Sequence, residues 1–260
     1  MRKFFGILFA LLIGIPVFAD AINGGVEKRD FKPGTNQIID AKTGTGISSA
    51  KIIIPTKNYT TQTDQDGMFD LGTRIDSPTI MSVNKEGYRP YSLTLNSDST
   101  IKPLRIGIEK STPKDVVVET NLIHLGDGSF SANSANAGDF SSKSVGPFYS
   151  KNFSIKEMKP EEEAYLVLGS VIGIDTITAR ELGQSKVSNV YAAPPEVYCN
   201  GNKIAEIKIN GDSQEIKIPR TVIKHSEDND ITIKAGKNLF QSSYIDYDDI
   251  EFTNLVVEVR

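Results

Sequence analysis

From Gln37 onward the chain is a succession of short apolar runs, most of them four to eight residues long, punctuated by glycine, proline, aspartate or asparagine at intervals of about ten residues. That rhythm limits the fold more than any other feature. A run of this length is too short for an amphipathic helix but long enough for one strand, and turn residues at regular spacing predict a β-sandwich. Candidate strands are Gln37 to Asp40, Ala50 to Ile54, Met68 to Leu71, Thr79 to Val83, Tyr91 to Leu95 and Ile101 to Ile108. A second series follows: Val116 to Val118, Ala164 to Leu168, Val197 to Asn200, Ile204 to Ile209, Glu215 to Ile218, Ile231 to Ile233 and Glu251 to Val259. Asp175 to Leu182 reads equally as strand or as a short helical turn. Gly126 to Gly146, rich in Ser, Asn, Ala and Gly, reads as a long irregular loop of the kind that often carries function.

The segment Asp64-Gln65-Asp66-Gly67 has the look of a calcium loop, but the ligand positions on either side fail. Gln62 would stand first and Thr73 last, and neither supplies the carboxylate that position requires. The aspartates therefore shape a hairpin turn, with Asp66-Gly67 tolerating positive φ. In the terminal run, Ile250 and Phe252 share one parity while Leu255, Val257 and Val259 share the other, so a bulge is expected near Thr253-Asn254.

The first residues carry a basic start at Arg2 and Lys3, an apolar run from Phe4 to Phe18, and small residues around Ala19. This is the pattern of a cleaved signal peptide over 1–19, followed by a polar leader over 20–33. Gly14 and Pro16 interrupt the run before it reaches the length of a bilayer span. The mature chain is thus expected to be secreted, periplasmic or at the cell surface, and not embedded in a membrane. A formal net charge of −4, made more negative by loss of Arg2 and Lys3, excludes a bulk attraction to nucleic acid. The single cysteine, Cys199, has no internal partner and is expected to be a small buried apolar residue.

Two resemblances divide the chain. Ile38-Ile39-Asp40, Thr43-Gly44, Ala50 to Ile54, Thr63-Asp64-Gln65-Asp66-Gly67-Met68-Phe69 and Lys85-Glu86-Gly87-Tyr88 together resemble the carboxypeptidase regulatory-like domain, over about 34–110. That family implies a transthyretin-like sandwich without catalysis. After a linker over 111–116, the segments His124 to Asp127, Val197 to Ile204, Asp230 to Asn238 and Tyr247 to Leu255 are similar to the galactose-binding-like jelly rolls, over 117–260. The resemblance implies a carbohydrate-binding fold, so the fold class expected is all-β, two β-sandwich domains after the signal peptide.

Catalytic chemistry finds no constellation. The two histidines, His124 and His225, lie in unrelated settings, the first read as a strand-end residue bonded to a loop and the second as solvated. Asp246, Asp248, Asp249 and Glu251 are dense but sit at a strand entrance, where carboxylates orient toward a cation or water rather than attack a sugar. Asp127, Asp248 and Asp249 are accordingly the candidate ligands of a structural calcium ion. Sugar binding relies on exposed aromatic faces and polar side chains, and there is no tryptophan. The candidates are Tyr149, Tyr244 and Tyr247 with Asn133 and Asn136, while Phe148 is assigned to the core. The expected function is non-enzymatic binding of a saccharide through the second sandwich. The alternative is a structural or adhesive module that binds a surface protein.

Overall fold

The computed structural model describes residues 35–99, 102–130, 140, 142–156, 158–187, 191–239 and 244–260. The expected signal peptide and leader, and the candidates Asn133 and Asn136, lie outside them. Within the described residues the chain is nearly all β, in antiparallel sheets of sandwich type. The one α-helix among them has five residues, and none is long and apolar enough to cross a membrane.

Seven strands precede residue 110: β1 (Asn36–Asp40), β2 (Lys51–Ile54), β3 (Tyr59–Gln62), β4 (Met68–Phe69), β5 (Thr79–Asn84), β6 (Tyr91–Leu95) and β7 (Arg105–Ile108). They form one sheet in the order β4-β1-β7 and a second in the order β3-β2-β5-β6. Among the described residues only the β1–β7 pairing is parallel. Alternation sends Ile38, Ile52, Ile54, Phe69, Met81, Val83, Leu95, Ile106 and Ile108 into one core between the sheets. The Asp64 carboxylate accepts the N–H groups of Asp66 and Met68 at 2.9 and 2.8 Å, so this acid closes the turn before β4. Gly67 has φ +78°, and a Cβ there would lie 2.3 Å from the Ile38 carbonyl oxygen, so only glycine fits.

The rest of the chain builds β8 (Val116–Glu119), β9 (Ile123–Leu125), β10 (Phe148–Ser154), β11 (Ala164–Ile172), α1 (Ile177–Glu181), β12 (Glu196–Cys199), β13 (Asn202–Glu206), β14 (Gly211–Ile218), β15 (Asp228–Lys234) and β16 (Ile250–Val259). One sheet runs β14-β11-β16-β8, with β9 also paired to β16, and the other runs β10-β15-β12-β13. A second core lies between them. Cys199 is fully buried in it as a free thiol, and burial pushes its pKa up to about 11, so it stays protonated and apolar. The expected parity change in β16 is present. Ile250 and Phe252, then Leu255, Val257 and Val259, all enter this core because Asn254 takes φ +57° between the two sets, and the pairing with β8 shifts register after Leu255.

The stretch Asp175 to Leu182, open between strand and a short helical turn, takes the second form as α1, started by the Thr176 hydroxyl accepting the Ala179 N–H at 3.1 Å. One expectation needs correction. Phe148, assigned to the core, is 61% exposed. Adjacent strand residues face opposite ways, and buried Phe153 sets the inward parity that Tyr149 shares and Phe148 does not.

The two cores are joined face to face. The outer face of β5 and β6 presents Ser82, Ser92 and Thr94 to β11, β14 and β16. The Ser170 hydroxyl lies 3.0 Å from that of Ser92 and 2.7 Å from the Asp212 carboxylate, and Asp212 also accepts the Thr94 N–H at 3.0 Å and its hydroxyl at 2.9 Å. Asn254 Nδ2 donates to Ser82 at 3.3 Å. Gly169 is buried at this seam. The 111–116 segment is held as a turn. The Asp115 carboxylate accepts the Thr112 N–H and two bonds from the Arg89 guanidinium, at 2.7, 2.8 and 3.2 Å. Burial works to raise the Asp115 pKa, but these donors outweigh it and hold the group below its ordinary range.

Candidate functional site

The acids at the entrance to β16 are divided by strand parity. Ile250 and Phe252 face the core, which sends Asp249 and Glu251 to the opposite face, where β9 runs alongside and sets His124 directly across from Glu251. His124 and Asp249 are both buried. His124 Nε2 donates to Asp249 Oδ1 at 2.8 Å, and Nδ1 donates to the Ser142 carbonyl oxygen at 2.7 Å. Two acceptors require two protons on the ring, so the partners assign an imidazolium beside a carboxylate. Burial alone would lower the His124 pKa. The hydrogen bonds to Asp249 and Ser142, with the charges of Glu251 and Asp249, outweigh that and raise it.

This pair also fastens the long loop. The Gly128 N–H donates to Asp249 Oδ1 at 2.8 Å, and Val145 N–H donates to the His124 carbonyl at 2.9 Å. The Phe140 and Phe130 rings lie 5.0 and 6.4 Å from the imidazole. Gly126 permits the approach: a Cβ there would meet the Asp249 carboxyl carbon at 2.4 Å. His124 is therefore the expected strand histidine bonded to a loop, with a buried carboxylate in addition. Both of its nitrogens are engaged, leaving no lone pair to accept a proton. His225 is exposed, as expected.

The three carboxylates proposed for calcium serve separate partners. Asp127 is exposed and accepts the N–H groups of Ser129 and Tyr247, each at 3.0 Å. Asp248 accepts the Asp175 N–H at 3.1 Å, and Asp249 is committed to His124 and Gly128. Among the described residues no group of three or more His, Cys, Asp or Glu side chains is arranged to hold a metal ion. Burial, and then the repulsion of Asp175, Asp249 and Asp246, pushes the Asp248 pKa well above the usual carboxylate range.

The tyrosines fall into two places. Tyr149 packs its ring edge-on to Phe252 at 5.6 Å and donates its hydroxyl to Glu119 at 2.6 Å, so it belongs to the margin of the core. Burial and the Glu119 carboxylate raise its pKa far above that of a free phenol. Tyr244 and Tyr247 stand together on the segment entering β16. Tyr244 is 61% exposed, with Leu239 and Ile245 exposed beside it in sequence. Tyr247 is half-buried, its ring centroid 5.9 Å from Lys237 Nζ, while Asn238 Nδ2 donates to Asp246 at 2.8 Å. The Leu239 N–H donates to the Tyr191 carbonyl at 2.8 Å, which draws the chain around Tyr191 and α1 to the same loop end. Sequence reasoning gave Arg180 of α1 no role. The guanidinium lies over the Tyr191 ring, 5.0 Å from its centroid.

No known protein family and no curated protein matches the chain. Among solved structures it is similar to BuGH86wt in complex with neoagarooctaose, at 13% identity and a TM-score of 0.29, and to BuGH86E322Q in complex with neoagarooctaose, at 14% and 0.30. Each alignment covers 88% of this chain and 30% of the other, so the chain spans less than a third of the length of either structure.

Proposed function

We propose that this is an exported, non-catalytic binding protein. Its C-terminal sandwich takes a carbohydrate or similar surface ligand at the loop end bearing Tyr244 and Tyr247, and the N-terminal sandwich supports it. The observation that carries this reading is the exposure of Tyr244, Leu239 and Ile245 around half-buried Tyr247, with the Asn238–Asp246 amide and carboxylate alongside. Aromatic and aliphatic surface next to fixed polar groups suits the C–H faces and hydroxyls of a pyranose. The resemblance of 117–260 to galactose-binding-like modules points the same way. The engaged state of both His124 nitrogens supports a role without proton transfer.

A glycan array with the mature chain tests the proposal. Binding to a defined glycan, lost in Tyr244→Ala and weakened in Tyr247→Ala, is the expected result. Silence across diverse neutral and acidic glycans would favour the alternative, an adhesive module whose exposed Leu239 and Ile245 meet a surface protein.

A further inference from the structure

A cleft of about 710 Å³ opens on the N-terminal sandwich, where the loop between β4 and β5 meets the loop between β6 and β7. Its size falls within the range of about 300–1,000 Å³ usual for small-ligand sites. The apolar lining includes buried Ile75 and half-buried Leu71, which join the core beneath, and the charged lining is Asp70, Arg74, Asp76 and Lys102. The walls are fixed before any ligand arrives. The Tyr59 hydroxyl donates to the Asp70 carbonyl oxygen at 2.6 Å and accepts the Gly72 N–H at 3.0 Å, so β3 pins the start of one loop. On the other side Asn36 Oδ1 accepts the Leu104 N–H at 2.9 Å, while Asn96 and Ser99 exchange main-chain to side-chain bonds at 2.8 Å. A cleft already in shape has little ordering cost to meet on binding.

The polar groups of this cleft face water and are open to a ligand. The Arg74 side chain is 89% exposed, and its Nε is paired with Asp76 at 2.5 Å, which leaves the Nη edge of the guanidinium without a bond to any described residue. The Asp70 carboxylate and the Lys102 ammonium, both on exposed residues, likewise have no hydrogen bond or ion pair to a described residue. Two acids balance two bases, so the lining offers no net charge to draw a polyanion or a polycation. A guanidinium edge presents two coplanar donors and a carboxylate two coplanar acceptors, and either can meet two neighbouring hydroxyls of a sugar ring. The apolar surface between them suits the C–H face of the same ring.

We infer that this cleft is a saccharide site separate from the Tyr244 loop end, which binds a neutral sugar through Asp70, Arg74 and Lys102. The N-terminal sandwich is then a binding module in its own right. Two sites on one chain raise the avidity for a polysaccharide above the affinity of either.

The test is titration calorimetry with neutral hexasaccharides of glucose, mannose, galactose and xylose, on the native chain and on Tyr244→Ala, Asp70→Ala and Arg74→Ala. Tyr244→Ala lacks the loop-end ring and keeps the cleft, so it should still bind at least one hexasaccharide. Adding Asp70→Ala or Arg74→Ala to Tyr244→Ala should lower that affinity about tenfold or more, the scale of a charge-assisted hydrogen bond. Thermal melting like that of the native chain shows that each variant is folded. Absence of binding by Tyr244→Ala, or binding that neither Asp70→Ala nor Arg74→Ala weakens, overturns the inference. Native binding that vanishes in Tyr244→Ala would leave the loop-end function standing and remove the cleft. Native binding indifferent to Tyr244→Ala but lost in Asp70→Ala would keep the cleft and remove the loop end.

Discussion

Gly169→Ala puts the joint between the two cores under direct strain. Gly169 is buried on β11, and a Cβ built there would lie 2.4 Å from Ser92 Oγ, 2.7 Å from Asn254 Cβ and 3.1 Å from the Thr253 carbonyl oxygen. The backbone needs no glycine conformation at this position, so space alone is at issue. Ser92 is fully buried, and its hydroxyl is held 3.0 Å from that of Ser170, so it has no open volume to enter. Overpacking a site of this kind costs about 1–3 kcal/mol, and a lost hydrogen bond adds about 1 kcal/mol. A loss of about 2 kcal/mol in a chain of this size lowers Tm by roughly 4–8 °C. Differential scanning calorimetry measures it. One transition for the whole chain, displaced to lower temperature in Gly169→Ala, is expected because β5, β6, β11, β14 and β16 share the seam. Two transitions in the native protein, or an unchanged Tm in the variant, would show that the contact between the cores contributes little.

Further outcomes follow from the buried charges. The His124 pKa is raised above its unfolded value of about 6.5, so its stabilisation is complete below that pH and is lost as pH rises through the folded pKa. Melting followed from pH 5 to 9 should show this decline, and His124→Gln should flatten it; a His124→Gln curve parallel to that of the native protein would refute the imidazolium assignment. Asp248 is also raised, so ionising it at neutral pH opposes folding. Asp248→Asn should therefore melt higher at pH 7, with the difference vanishing as pH falls through the unfolded carboxylate range near about 3.9; a lower Tm at pH 7 would refute this. Calcium added to chelator-treated protein should shift Tm by less than about 1 °C, since no group of three or more His, Cys, Asp or Glu among the described residues is arranged to hold an ion; a rise of several degrees would refute this.

Elements whose own residues specify them were legible in the sequence. The Asp64 turn needs only an aspartate oxygen and a glycine, and the parity change of β16 is written in the spacing of Phe252 and Leu255. Helix α1 was ambiguous because five residues give barely more than one turn, and only Ala179 of them is buried. The place of Phe148 was decidable in principle: two adjacent aromatics cannot both face inward, and Phe153 selects Tyr149. The candidate site was less legible, because its partners are distant in sequence. His124 meets Asp249 across 125 residues, and local composition carries no trace of that contact. Arg180 drew no attention because its contact with the Tyr191 ring appears only once the chain has folded around it.

The pairing of β8 with β16 sets Val116 opposite Val257, so two neighbours in one sheet are separated by most of the second sandwich. A sheet closed this way cannot zip up from adjacent hairpins, because the entropy of joining distant segments must be overcome before the contacts form. Refolding should accordingly be slow, on the millisecond-to-second scale of all-β topologies, with β8 and β11 waiting as open edges until β16 arrives between them. During that interval the chain is most exposed to self-association, and a compartment that delivers it dilute or chaperoned would preserve its yield.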